Sequence, residues 1–469
     1  MFPGLTLTYW LTLHGLVTLL AVMIYVVTAH VLQQRRHPTA AIAWVLFLLL
    51  MPYFALPAFL TFGSRKQARP RGQPLRLAPP APSDPEDERA WAVQTALAMG
   101  QSAPAEFDDL HVHADGSDAL HALWQVIDGA QHSIDLCTFI IGRDTVGHAL
   151  LDRLCAKARA GVRVRLMIDG LGRLMTPSPG MRPLIAAGGV VTRFVPPLHS
   201  PLKGRSNLRD HRKMVIADAG RETGRLWSGG RNLASEYFEG EPGRPAWRDL
   251  SFDLRGAVVQ HAIALFEHDW AFANGGRFQA DQDDTPITIR PGFGAQLIAS
   301  GPDQADDTLQ ALLLTAAYRA RTRIALITPY FVPDSALLMA LCMAARRGVV
   351  VDLLLPARSN HRLSDLARRR ALGTLAAAGG RIWLAPQMLH AKLIVVDDVL
   401  ALAGSANLDS RSLFLNYELM MAFYEAAVVE RFAEWFETER KSALRALPKR
   451  PGLLGDMADG LVLWVGFQL

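Results

Sequence analysis

Cysteine is nearly missing from this chain: there are three in 469 residues, Cys137, Cys155 and Cys342. Three excludes a disulfide scaffold, and none falls in a Cys-x-x-Cys or Cys/His spacing suited to structural zinc. Lysine is scarce too, at seven positions (Lys66, Lys157, Lys203, Lys213, Lys392, Lys441 and Lys449), so arginine supplies most of the 49 basic residues. A net charge of +5 with a pI near 9.2 is no massive basic field. It suits an anionic surface, lipid or nucleic acid, without choosing between them. Only 20% of residues are charged and half are apolar, which excludes wholesale disorder. The length allows about three domains.

Charge is wholly absent from Leu5 to Leu32. A helix rises about 1.5 Å per residue and needs about 20 residues to cross the hydrocarbon core, so this run is long enough. After Gln33-Gln34-Arg35-Arg36-His37-Pro38 a second uncharged stretch runs from Thr39 to Phe62, closed by Arg65 and Lys66. A signal peptide fits poorly: no basic residue precedes the first run, the run is too long, and another follows at once. Two buried helices of a soluble protein are the remaining rival. The reading adopted is a transmembrane hairpin over 1–66, with spans at about 7–32 and 39–62. Pro52 and Pro57 are compatible with a kinked or re-entrant second segment. Arg65, Lys66, Arg69, Arg71 and Arg76 outweigh Arg35 and Arg36, which puts the C-terminal part in the cytoplasm.

Residues 67–106 form a spacer carrying Pro70, Pro74, Pro79, Pro80, Pro82, Pro85 and Pro104, with a short helix expected from Asp87 to Met99. Beyond it the chain repeats itself. Helix, strand, helix and strand are expected at 116–130, 134–139, 147–160 and 162–168, and again at 306–320, 324–328, 334–347 and 349–355. Each second helix stops on a glycine, Gly161 or Gly348. Alternating strands and helices predict two α/β domains, 107–280 and 281–450, with a ligand groove between them. An apolar tail at 451–469 could lie on a bilayer or complete a core.

One pattern occurs in both copies. His211-Arg212-Lys213 is followed by Asp218 and then Ser228-Gly229-Gly230-Arg231-Asn232. His390-Ala391-Lys392 is followed by Asp397 and then Gly404-Ser405-Ala406-Asn407. A lone histidine is usually a satisfied core residue, but two such sets at matching places in a repeat are not chance. Strand alternation sends His211 and Lys213 to one face, as it does His390 and Lys392. Two imidazoles, two ammonium groups and two Asn amides then share one cleft. Lysine and Asn donors suit phosphate oxygens, which makes Lys213, Asn232, Lys392 and Asn407 the expected phosphate-binding set. Imidazole can act as nucleophile or as general acid. No third or fourth ligand of consistent kind accompanies them, so no metal is implied in the cleft and no cofactor is expected.

Both motifs resemble the HKD signatures of the phospholipase D superfamily. The wider chain is similar to the membrane-anchored bacterial cardiolipin synthases. The likeness extends to Arg35-Arg36-His37-Pro38, Ala43-Trp44, Pro52-Tyr53, Asp115-Gly116, Thr328-Pro329-Tyr330-Phe331-Val332-Pro333-Asp334 and Asn407-Leu408-Asp409-Ser410-Arg411-Ser412. Gly230 departs from it, since copy two has Ser405 there, a residue the resemblance adds to the phosphate-binding set.

The resemblance implies two pseudo-symmetric phospholipase D-like domains with the active site between them. It implies ping-pong transfer of a phosphatidyl group between two phosphatidylglycerol molecules, giving cardiolipin and glycerol through a phosphatidyl-histidine. It makes His211, Lys213, Asp218, His390, Lys392 and Asp397 the catalytic set, with His211 as nucleophile and His390 as acid/base. Near-symmetry leaves the reverse assignment open. Asp249 (in Trp247-Arg248-Asp249) and Glu418 (in Asn416-Tyr417-Glu418) are the candidates to orient the imidazoles. Asp218 and Asp397 fall at odd offsets from their histidines and read as structural salt-bridge residues.

The implied partners are phosphatidylglycerol, other anionic phospholipids and the membrane, with no nucleic acid. The implied location is the bacterial inner membrane. Lys203, Arg205, Arg209 and Arg212 beside the first motif, and Arg358, Arg362, Arg368, Arg369 and Arg370 before the second, could attract anionic headgroups. A membrane-anchored phospholipase D with another acceptor, or a nuclease, would use the same catalytic set; the hairpin is what favours lipid.

Overall fold

The computed structural model describes residues 7–31, 38–62, 90–172, 180–195, 208–241, 243–275, 294–304 and 307–448. The chain divides into two compact units, the first comprising 1–72 with 197–208 and the second the remainder. Most of the Pro-rich spacer, Lys203, Arg205 and the tail at 451–469 lie outside the described residues.

In the first unit, one helix spans Leu7–Val31. The second apolar stretch is not one helix: it forms Pro38–Leu50 and Pro52–Phe62, interrupted at Met51. Pro52 has no amide hydrogen to continue the ladder and its ring favours a helix start. Tyr25 packs on Phe59 at 5.1 Å and Trp44 on Phe59 at 5.3 Å between ring centroids. Among the described residues no helix is long and apolar enough to cross a membrane, so the two expected spans are not established by the structure.

The second unit contains two mixed sheets of matching order. The first is built from β1 (Asp108–Val112), β2 (Ser133–Thr138), β3 (Arg163–Ile168), β4 (Val190–Arg193), β5 (Met214–Ala217), β6 (Arg225–Gly229) and β7 (Ser251–Arg255). Their spatial order is β1-β7-β6-β5-β2-β3-β4. The next strands are β8 (Ala295–Ser300), β9 (Arg323–Ile327), β10 (Phe331–Val332), β11 (Val350–Pro356) and β12 (Arg381–Ala385). They are followed by β13 (Leu393–Val396), β14 (Leu400–Gly404), β15 (Leu408–Asp409), β16 (Glu418–Phe423) and β17 (Leu444–Ala446). The second sheet reads β8-β16-β14-β13-β9-β11-β12, the same order with β17 added at the edge; β10 and β15 pair separately. In each sheet a parallel set (β2-β3-β4 or β9-β11-β12) continues into antiparallel strands that carry the motif.

Local sequence explains the repeated units. Asp115, Asp144 and Asp334 accept amide hydrogens of their first helical turns, so each is an N-cap. Gly161 and Gly348 take φ of +88° and +93° after the second helix of each repeat, a conformation that costs glycine little. The strands β2, β5 and β13 are buried along their whole length, and β9 is buried at every residue after Arg323. Each sheet therefore has its own apolar core, around Leu123, Leu150 and Leu166 in one and Leu312, Leu341 and Leu353 in the other.

Candidate active site

His211 and His390 stand just ahead of β5 and β13, and each is held by the opposite half. The His211 amide donates to the Tyr417 carbonyl at 2.9 Å, and the Tyr417 amide to the Arg209 carbonyl at 2.8 Å. The His390 amide donates to the Arg248 carbonyl at 2.6 Å, and the Arg248 amide to the Met388 carbonyl at 2.9 Å. The carboxylates follow the same crossed pattern. His211 Nδ1 lies 3.0 Å from Glu418 Oε2, and His390 Nδ1 lies 2.7 Å from Asp249 Oδ2. Each half supplies an imidazole and orients its partner's.

The lysines, like the histidines, stand just ahead of β5 and β13 rather than within them. Lys213 Nζ donates to the His211 carbonyl at 2.6 Å. Lys392 Nζ lies over the His390 ring, 2.9 and 3.1 Å from its two nitrogens. Both lysines are 1% exposed, and burying an ammonium group disfavours its charge. Burial thus pushes Lys392 down to about 7, with Lys213 adding to the shift and Asp249 opposing it. Lys213 falls to about 8, again by burial, with Glu418 opposing. Burial and the neighbouring Lys392 push His390 down to about 3, and burial lowers His211 as well. For Asp249 and Glu418 burial acts upward, but His390 and Lys392 in one case, and His211 and Lys213 in the other, hold the carboxylates below their ordinary range.

Two imidazoles, two carboxylates and two titratable ammonium groups are thus gathered where the two halves meet. A lysine depressed to 7 or 8 loses its charge as pH rises through that value. Sulfate keeps its charge there, so its affinity for the cleft should fall at least about tenfold between pH 6 and pH 9. Calorimetric titration across that range checks this; a flat profile would show that neither lysine contributes charge to anion binding.

The phospholipase D-nuclease N-terminal family matches residues 20–64, and the family described as cardiolipin synthase, PLD-like domain, matches residues 313–440. Cardiolipin synthase A of Klebsiella pneumoniae subsp. pneumoniae is 31% identical, over 90% of this chain and 88% of that protein. Cardiolipin synthase 1 of Bacillus anthracis is 29% identical, over 94% and 90% respectively. The chain belongs to the cardiolipin synthase family. It is accordingly an enzyme of the phosphatidyltransferase kind. Phosphatidylserine synthase of Haemophilus influenzae Rd KW20 shares the fold, with a TM-score of 0.61 at 12% identity, over 82% of this chain and all of that one.

Within this cardiolipin synthase fold, several expected roles move. Ser405 was expected on phosphate, but its hydroxyl donates to Glu418 Oε2 at 2.6 Å and accepts the Leu419 amide at 2.9 Å. It positions the carboxylate that orients His211. The matching Gly230 leaves no room for such a bridge: a Cβ there would lie 2.3 Å from Asp249 Oδ1. The shorter Asp249 takes the Leu250 amide itself, at 2.7 Å. So the Gly/Ser difference tracks the Asp/Glu difference across the pseudo-symmetry.

Asp218 and Asp397, included in the catalytic set by the resemblance, sit at the far ends of β5 and β13 from the histidines. Asp218 accepts the amides of Gln131, His132 and Ser133, and Asp397 those of Arg321, Thr322 and Arg323. Their φ values are +48° and +51°. They are turn residues whose carboxylates bind backbone amides. Asn232 and Asn407 are buried beside the cleft; the Asn232 amide donates to the Tyr237 hydroxyl at 2.8 Å. Arg368 is not a headgroup contact, since its guanidinium is buried against the Pro356 and Ala357 carbonyls; Arg358, Arg362, Arg369 and Arg370 are exposed.

Sequence reading missed the aromatic walls. Phe139 meets His211 edge-on at 5.1 Å, and Tyr237 and Trp247 approach His390 at 5.1 and 5.8 Å. Only the adjacency of Trp247 to Asp249 signals this. It also missed Arg212 as a strut. Turned away from His211, its buried guanidinium donates to the Glu418 carbonyl at 3.1 Å and the Ser300 carbonyl at 3.2 Å, and pairs with Asp269. Ala391 fills that place in copy two.

Proposed function

We propose that this enzyme makes cardiolipin and glycerol from two molecules of phosphatidylglycerol, with His211 as nucleophile and His390 as acid/base. The crossed orientation carries the reading: each imidazole presents one nitrogen to the cleft while the other is fixed by a carboxylate of the opposite half. Lys213 and Lys392 receive the phosphodiester oxygens, assisted by donors of Asn232 and Asn407. His211 Nε2 attacks phosphorus, and the phosphorus–oxygen bond to the first glycerol breaks. His390, having first taken a proton from solvent on Nε2 once substrate is bound, gives that proton to the departing glycerol. It then takes a proton from the hydroxyl of the second phosphatidylglycerol, whose oxygen displaces His211 from phosphorus.

His390 starts neutral, so the substrate must first make it basic enough to carry a proton. Drawing Lys392 off the ring and onto a phosphate oxygen does this, because the ammonium group is what adds to burial in depressing the imidazole.

The apolar helices of the first unit seat in the bacterial cytoplasmic membrane as a two-pass hairpin and keep the cleft at the lipid surface, with the catalytic sheets on the cytoplasmic side. Leu16, Leu19, Met23, Val27, Leu46 and Phe54 are more than half exposed there, a patch that water tolerates poorly. The test incubates the full chain with vesicles containing phosphatidylglycerol labelled in its headgroup or its acyl chains, with and without phosphatidylethanolamine. Cardiolipin and free glycerol should appear in equal amounts, and phosphatidylethanolamine should leave the product unchanged. Phosphatidic acid as the main product would make the enzyme a hydrolase.

A further inference from the structure

The outer edge of the first sheet carries a second cluster of chemistry-bearing side chains, apart from the cleft. His111 of β1 and His113, one residue past the end of that strand, are two residues apart and both face Asp253. Across the antiparallel ladder His111 pairs with Asp253 of β7. His113 Nε2 is 2.9 Å and His111 Nδ1 3.5 Å from Asp253 Oδ2. The ligating atoms of the three residues fall within 4.8 Å of one another.

We propose that His111, His113 and Asp253 form a binding site for a first-row divalent cation of the zinc kind. Two imidazoles and one carboxylate are an ordinary three-residue set for such an ion, leaving a fourth position for water. Ligands at 2.0–2.1 Å from a tetrahedral centre lie about 3.3 Å apart; the two imidazole–carboxylate separations, 2.9 and 3.5 Å, are near that spacing, and an ion would draw the whole set in from within 4.8 Å.

The surrounding groups are placed as supports. With Nδ1 of His111 on the ion, its other nitrogen, Nε2, faces Asp118 Oδ2 at 3.3 Å, the carboxylate–histidine–metal arrangement that fixes ring orientation and strengthens the ligand. Asp118 is itself held by the Ala114 amide at 2.9 Å. Asp253 Oδ1 is taken by Arg225, which leaves Oδ2 for the ion. His113 is fully buried and stacked on Trp227, whereas the His111 side chain is 48% exposed, so an ion can enter from solvent on that side. Bound there, the cation would cross-link β1, the edge strand that follows the spacer, to β7.

The test uses the untagged full chain in detergent, stripped of metal, in a His211→Ala/His390→Ala background so that the cleft imidazoles cannot bind. Titration with Co²⁺ should give one equivalent per chain, with the visible absorption of a four-coordinate nitrogen/oxygen site. Zn²⁺ should displace it and raise the melting temperature. His111→Ala, which removes an exposed ligand and keeps the His113–Asp253 bond, should abolish both effects. In the otherwise native enzyme that substitution should leave transfer in the presence of chelator unchanged. Absence of stoichiometric Co²⁺ binding, or equal binding by the His111→Ala protein, would overturn the site.

Discussion

Replacing His211 by alanine is expected to lower phosphatidyl transfer at least about 10⁴-fold, and replacing His390 should cost about as much, because residues acting as one unit fail together. The two variants should differ in what they retain. After acid quench, acyl-labelled lipid should stay attached to the His390→Ala protein and be missing from the His211→Ala protein. His211 is free to attack without its partner, but the second alcohol is not activated without His390, so the intermediate accumulates. Its formation should itself be slow, since the leaving glycerol lacks an acid. Label on the His211→Ala protein instead would make His390 the nucleophile. Near-native transfer by either variant would remove the covalent mechanism altogether.

The duplicated motif is readable in the sequence because it is local; the reaction it serves comes from the family resemblance. Two residues' separation keeps the His and Lys of each motif close without tertiary knowledge, although both lie just ahead of β5 and β13 and not within a strand as alternation would require. The N-caps Asp115, Asp144 and Asp334 and the helix-ending Gly161 and Gly348 are equally local, and the repeated α/β units follow from them.

What depended on contact between the halves was not readable. Asp249 and Glu418 can be picked out as orienting carboxylates, but nothing in either copy says that each serves the other's histidine. The hydroxyl of Ser405 looks like a phosphate ligand until Glu418 is seen to occupy it. Arg212 looks like a surface charge until Asp269 and two carbonyls, distant in the chain, are found around it. Asp218 and Asp397 read as salt-bridge residues in sequence because the loop amides they accept leave no mark in a pattern of side chains.

The crossed carboxylates lead to the second large effect, and it should be unequal. Asp249→Asn is expected to lower kcat about 10⁴-fold, with little change in KM, while Glu418→Gln should lose only about 10²-fold. The difference lies in what else each carboxylate accepts. Asp249 takes the His390 Nδ1 hydrogen on one oxygen and the Leu250 amide hydrogen on the other. An asparagine has only one oxygen, so its NH₂ must face one of these donors. Turned toward His390, it forces the wrong tautomer; turned toward Leu250, it sets two donors against each other in a buried place. Glu418 receives His211 and the Ser405 hydroxyl on the same oxygen, and Asn416 on the other. Among the described residues, Asn416 Oδ1 has no hydrogen-bond partner. Its amide can therefore turn and accept from the new NH₂ of glutamine, keeping the His211 tautomer and removing only the negative charge. Steady-state rates on phosphatidylglycerol vesicles for both variants decide this. A Glu418→Gln enzyme as damaged as Asp249→Asn would mean that charge, rather than tautomer, is what the carboxylates supply.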